Sequence, residues 1–193
     1  MMLNPKEKES IRSDLDRLSR GRIEVMKQGR EVVKASKELI YSLHRGDMQS
    51  AGVCLAKISQ ARKMLDALAN TPRLRCYHPY LNAVQEHVEA AAYYSVVTKG
   101  NIPTRARLLA DTETYLGGLS DLTGELARKG VDDMIHERYA HAAKMKDSVE
   151  EIYGLILTLD FDGGEARRKS DAVKWNLAKL EDLVYDAKIR GKI

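Results

Sequence analysis

One phenylalanine, one tryptophan and four prolines in 193 residues leave little from which to build a β-rich fold. Sheets draw on aromatic and β-branched residues, and no stretch here alternates apolar and polar positions for long. Cysteine is scarce as well: Cys54 and Cys76 lie far apart, with no CxxC spacing. That leaves a disulfide framework or a cysteine-rich zinc site without support, and two free thiols in a reducing cytoplasm are expected. No run approaches the ~20 apolar residues of a membrane-spanning helix. The opening MMLNPKEKESIRSDLDR also lacks the apolar core of a signal peptide, so no membrane partner is expected. Neither sign of charge dominates: 32 Lys and Arg stand against 28 Asp and Glu, a formal net charge of +4. This balance permits nucleic-acid binding if basic residues gather on one surface, but does not demand it. Walker, GxGxxG, GxSxG and HExxH motifs are all missing, and with them the usual signatures of nucleotide-binding and hydrolytic folds.

What abounds is Ala, Leu, Lys, Arg and Glu, the composition of an all-α protein. The length suits one domain with a real core, spanning residues 1–193. Residues 5–45 read as one very long helix, with Ile11, Leu15, Leu18, Val25, Val32, Leu39 and Leu43 close to a heptad repeat. Gly46 ends it and Asp47 caps a second helix, which runs to about residue 69 before Asn70-Thr71-Pro72. A third covers 78–99, and a short one covers 104–110. A fifth holds Asp121 and Glu125 and breaks at 130–133; a sixth covers 134–159. After a turn at 160–164 the seventh runs over 165–190, with Val173, Leu177, Leu180, Val184 and Ala187 at coiled-coil spacing. The expected fold is an all-α seven-helix bundle with long N- and C-terminal helices. Their apolar seams suit either packing within one subunit or continuation into a partner chain.

Two stretches carry the chemistry. In QEHVEAAAYY, Glu86 and Glu89 are spaced i,i+3; in YLGGLSDLTGELARKG, Asp121 and Glu125 are spaced i,i+4. Each spacing puts two carboxylates on one helix face. On the third helix that face also carries Asn82, Tyr93 and Val97, opposite a seam of Leu81, Val84, Val88, Ala91 and Ser95. Carboxylates off an apolar seam ordinarily point to water. Gly117, Gly118 and Gly124 argue otherwise, since each costs roughly 0.5–1 kcal/mol in a helix relative to Ala. A solvated face gives no reason to tolerate three; the close approach of a backbone, a metal shell or a phosphate does. Arg73, Arg75, Lys99, Arg105 and Arg128 are candidate RNA-binding cations, against the ordinary reading of exposed charge. Tyr77, Tyr80 and Tyr93 are candidate base-stacking groups, against a core role. His136 and His141 share a helical face poorly, His87 points away from its neighbouring glutamates, and 160–165 lacks EF-hand spacing.

QEHVEA at 85–90 and YLGGLSDLTGELARKGV at 115–131 resemble the translin family, specifically its Trax (translin-associated factor X) branch. REVVKASKELIYSLHR at 30–45 resembles that family's first long helix, and KWNLAKLEDLVYDAKIRG at 174–191 its last. The resemblance implies a seven-helix fold and a hollow octamer whose active sites face the interior. It also implies a metal-dependent endoribonuclease acting on single-stranded RNA. The Trax acidic set matches Glu86, Glu89, Asp121 and Glu125, whereas translin lacks the full set. The long insertion and terminal extensions of eukaryotic Trax chains are missing here, so a homo-oligomer is expected, with a separate translin-like subunit left open. Glu89, Asp121 and Glu125 are the expected ligands of Mg²⁺, with Mn²⁺ able to substitute. Glu86 is a further ligand or the base that orients water. The alternatives are a non-cutting translin-like binder of single-stranded RNA or DNA, and a helical scaffold whose acidic faces are merely solvated.

Overall fold

The computed structural model describes residues 4–159 and 164–193, and the side chains of all of these except 164–168. Among the described residues it contains α1 (Pro5–His44), α2 (Met48–Leu68), α3 (Pro72–Arg75), α4 (His78–Lys99), α5 (Thr112–Ile135), α6 (Tyr139–Leu157) and α7 (Gly164–Ile189), and no strand. The helix ends follow local chemistry. Asn4 accepts from the Lys6 amide at 2.9 Å, with Pro5 at the first helical position. Asp47 caps α2 through the Ser50 amide, and Asp111 caps α5 through that of Thr114. Gly100 closes α4 in the left-handed conformation, φ 69°.

Two groups of three helices meet at one seam. In the first, α1 packs on α2 and α4; in the second, α5 packs on α6 and α7; contact between α4 and α5 joins them. The principal core runs through both groups, from Leu39 and Ile58 through Tyr93 and Leu122 to Ile152 and Leu180. A second cluster, including Val25, Val32, Leu65, Leu74 and Val84, fills the space under α3. The expected seam of α7 is buried at Val173, Leu177, Leu180, Val184 and Ala187. That of α1 is buried only from Val25 onward; Ile11 and Leu15 are 47% and 58% exposed, so its first turns run beyond the bundle.

Three expectations fail for physical reasons. Residues 104–110 form turns rather than a helix, because Leu109 sits at φ 51° and its carbonyl accepts from Arg62 at 2.9 Å. The break expected at 130–133 is absent: α5 continues to Ile135, and Gly130 leaves room for Leu180 of α7. The chain turns instead at Glu137 (φ 59°), where Arg138 reaches back to Asp132 and Asp133. Finally, α4 is not half-buried along a single seam. It is covered by α1, α2 and α5, so Tyr93 is wholly buried while Leu81 is only partly so. The turn expected around 160–163 lies outside the described residues. Among the described residues no helix is long and apolar enough to cross a membrane.

Candidate active site

The seam between α4 and α5 is unusually tight at one point. A Cβ on Gly118 would lie 2.7 Å from Val88 Cβ and 2.8 Å from the Gln85 carbonyl oxygen, so only glycine fits. A Cβ on Gly117 would crowd the amide end of the Gln85 side chain, a flexible group that can shift. Gly124 faces nothing closer than Asn176 at 3.8 Å, so its position does not require glycine. This approach carries Glu86 and Glu89 of α4 toward Asp121 and Glu125 of α5.

The four carboxylates share one electrostatic neighbourhood. Burial raises the Glu89 carboxyl to about 8, and the charges of Asp121, Glu86 and Glu125 push it in the same direction. Burial also raises Glu86, opposed by Lys37, whose ammonium is 4.0 Å from it. Asp121 accepts from Gln85 Nε2 at 2.5 Å and lies 3.3 Å from Lys169 Nζ of α7. Glu125 pairs with His44 Nε2 at 2.5 Å, which holds its carboxyl below the ordinary range despite burial. The other nitrogen of His44, at the end of α1, is 3.2 Å from the Tyr93 hydroxyl. The cluster is therefore framed by two elements beyond the two that supply its acids, Lys37 and His44 from α1 and Lys169 from α7, with buried Tyr93 of α4 behind.

A hard divalent cation suits this donor set by charge and by chemistry. Four carboxylates with one forced toward its neutral form are an arrangement that +2 of charge would relieve. As the side chains stand, however, no three His, Cys, Asp or Glu groups among the described residues close on a common point at metal-ligand distance. Carboxylates repel one another over longer ranges than they share a ligand, so both observations hold together. Asp121 and Glu125 are turned to Lys169 and His44, and would have to exchange those partners for an ion.

The Translin family profile matches residues 20–191. This chain belongs to the Translin family. Among its relatives, an uncharacterized protein of Methanocaldococcus jannaschii is 30% identical over 169 residues, 84% of this chain and 75% of that one. Translin of Gallus gallus is 31% identical over 81 residues, covering 42% of this chain and 35% of translin. Of solved structures, apo-NeC3PO superposes with a TM-score of 0.85 at 27% identity, covering 96% of this chain and 98% of that one. AfC3PO in complex with duplex RNA gives a TM-score of 0.87 at 24% identity over 95% and 97% of the two chains, a likeness of fold.

Not every residue named from the sequence reaches the site of this Translin-family chain. Arg128 does: it is exposed, and its charge lowers the Glu125 carboxyl. Tyr93 cannot stack on a base, because it is 0% exposed and committed to His44. Tyr80 is buried and donates to Asp66, and Tyr77 lies under Arg22. Arg73 and Arg75 sit on α3; Arg75 donates to the Ala69 carbonyl at 3.1 Å, closing the end of α2. Neither contacts the four carboxylates among the described residues. Arg105 bonds Thr112, and Lys99 is exposed at the end of α4. His87, held to about 4 by burial and Arg62, belongs to a separate network. Sequence reasoning missed the framing residues Lys37, His44, Gln85 and Lys169. Gln85 and His44 lie inside the resembling blocks. Their partners, however, are 36 and 81 residues distant, and no periodicity reports contacts so far apart.

Proposed function

We propose that this chain is a Trax-like, Mg²⁺-dependent endoribonuclease that cuts single-stranded RNA, with Mn²⁺ able to substitute. One observation supports the reading: two carboxylates from each of two helices flank the tight approach of α4 to α5, and the raised proton affinity of Glu89 registers the charges of the other three. The matching of Glu86, Glu89, Asp121 and Glu125 to the Trax acidic set supports it; the duplex RNA in the complex of the structurally similar AfC3PO supports RNA as the ligand class but not its strandedness. Glu89, Asp121 and Glu125 would hold the ion. When bound, such an ion lowers the pKa of a water and draws charge from the phosphoryl oxygens.

The protein's own groups do the rest. Glu86, partly exposed beside Lys37, accepts the proton of the attacking water and orients it. Without the ion His44, itself fixed by Tyr93, holds Glu125, while Gln85 and Lys169 hold Asp121; His44 and Lys169 give way when the ion binds. Arg128 supplies positive charge to a phosphate beside Glu125. The assembly proposed is a homo-octamer with these sites facing its interior, in the cytoplasm, with a translin-like second subunit left open. The exposed apolar residues Ile11, Leu15 and Trp175 are candidates for its contacts.

The present pairing of Asp121 with Lys169 and of Glu125 with His44 favours a second reading, a translin-like protein that holds single-stranded RNA or DNA without cutting it. Incubating the purified chain with unstructured RNA separates the two. The first predicts cutting in Mg²⁺ or Mn²⁺, none in EDTA, and a loss of roughly 10²–10³-fold in Asp121→Asn, the scale of removing one electrostatic stabiliser. Binding without cutting in Mg²⁺ selects the second.

A further inference from the structure

We propose that the groove between α1 and the start of α4 seats the single-stranded RNA that leads into the acidic cluster, an inference that rests on the nuclease reading. The groove has a volume of about 750 Å³, with Met26, Gly29, Val33 and Pro79 among its apolar lining. Gly29 lies against the backbone of Pro79, where an added Cβ would come 3.0 Å from the carbonyl oxygen. Along one edge stand Arg30, Lys34 and Lys37, all exposed, followed by Tyr41. Positions i, i+4, i+7 and i+11 fall on one face of a helix and span about 16 Å. Among the described residues neither Arg30 nor Lys34 is ion-paired, and the nearest carboxylate to Lys37 is that of Glu86. The row of cations therefore ends at the cluster itself.

Charge and shape select the occupant. A row of exposed cations at helical spacing, two of them without an ion pair among the described residues, tracks a phosphate backbone, and an apolar floor receives riboses and base faces. Glu38 also lines the groove, so the cationic character comes from the three basic residues together. Tyr41 is 59% exposed, with the Arg45 guanidinium 5.6 Å from its ring centroid, a flat surface on which an unpaired base can stack. Duplex RNA hides its bases from such a surface.

The test measures binding of a labelled, unstructured RNA to the full chain by fluorescence anisotropy, in EDTA and over a range of salt. The triple variant Arg30→Ala/Lys34→Ala/Lys37→Ala is expected to weaken binding at least tenfold. It should also flatten the log–log salt dependence by about 2, from ~0.7 per phosphate contact on a single strand. Tyr41→Ala is expected to weaken single-stranded RNA about fivefold or more and leave a duplex of equal length unchanged. A control triple on α7, at Lys174, Lys179 and Lys188, should change affinity less than twofold. Single Arg30→Gln and Lys34→Gln variants keep the test readable if the triple loses helicity by circular dichroism. Equal losses in both triples, no loss in the groove triple, or a changed mass by light scattering (an interface between copies) would overturn the groove. Cutting in Mg²⁺ with groove affinity untouched sinks the groove alone. Groove-dependent binding without cutting sinks the nuclease alone, and no RNA binding by the wild type sinks both.

Discussion

Glu89 is a carboxyl that keeps its proton near neutrality, and this has a measurable consequence for stability. Its folded value, about 8, lies above the ordinary 4.5. Between those two values the native state retains a proton that the unfolded chain has released. Metal-free stability therefore falls as pH rises from about 4.5 to 8, then levels. Glu125 runs the other way: held down by His44, it contributes stability above its ordinary value that is lost as pH falls through its lowered one. Glu89→Gln removes the first effect. In EDTA the variant should match the wild type in Tm near pH 4 and exceed it at pH 8.5, by roughly 2–4 °C per kcal/mol in a chain this size. Adding Mg²⁺ should reverse that order, since only the wild type gains fully from the ion. A calorimetric gap independent of pH would contradict the account. Spacing paired the four acids on two helix faces, and the resemblance to the Trax acidic set, rather than the spacing, singled them out as a candidate site. Between the base-stacking and core roles left open for Tyr93, burial selects the core role: Tyr93 lies one turn beyond Glu89 on the same face, and that face passes under the end of α1 there. A helical wheel shows direction, not where along the helix a neighbour begins to cover it.

At the scale of elements, the approach of α4 to α5 is what gathers the site. Gly118→Ala forces Val88 or the backbone at Gln85 to give way, an overpacking expected to cost about 1–3 kcal/mol. Gly124→Ala meets only Asn176 at ordinary distance and should be neutral, or stabilising by up to about 1 kcal/mol through helix propensity. Urea unfolding of the two variants checks the contrast; equal costs would mean the seam is not where the helices are locked. That glycines marked a close approach could be read from the sequence. Which of the three did so could not, because that depends on the partner helix. The same limit explains 104–110 and 130–133. Local pattern suggested a helix in the first and a break in the second. Arg62 holding the Leu109 carbonyl, and Leu180 filling the space at Gly130, decide both from a distance.

Among the described residues, two three-helix groups and the short α3 are joined through that seam and one continuous core, with the N-terminal turns of α1 standing clear of both groups. An apolar stripe left bare at Ile11 and Leu15 is the kind of surface a second copy covers. Light scattering on a sizing column should give a mass several times that of one chain, and Leu15→Glu should lower it; a wild-type monomer would contradict the assembly. The heptad pattern announced the stripe, while only the packing of α2 and α4 showed how much of it one subunit uses.

The central claim is that acids from α4 and α5 grip one ion, and Mn²⁺ electron paramagnetic resonance tests it without RNA or turnover. Titrated with Mn²⁺ at pH 8, the wild type should quench the free-ion signal saturably. Asp121→Asn and Glu89→Gln should each weaken that binding tenfold or more. Equal quenching by wild type and both variants, or none by any, would contradict it.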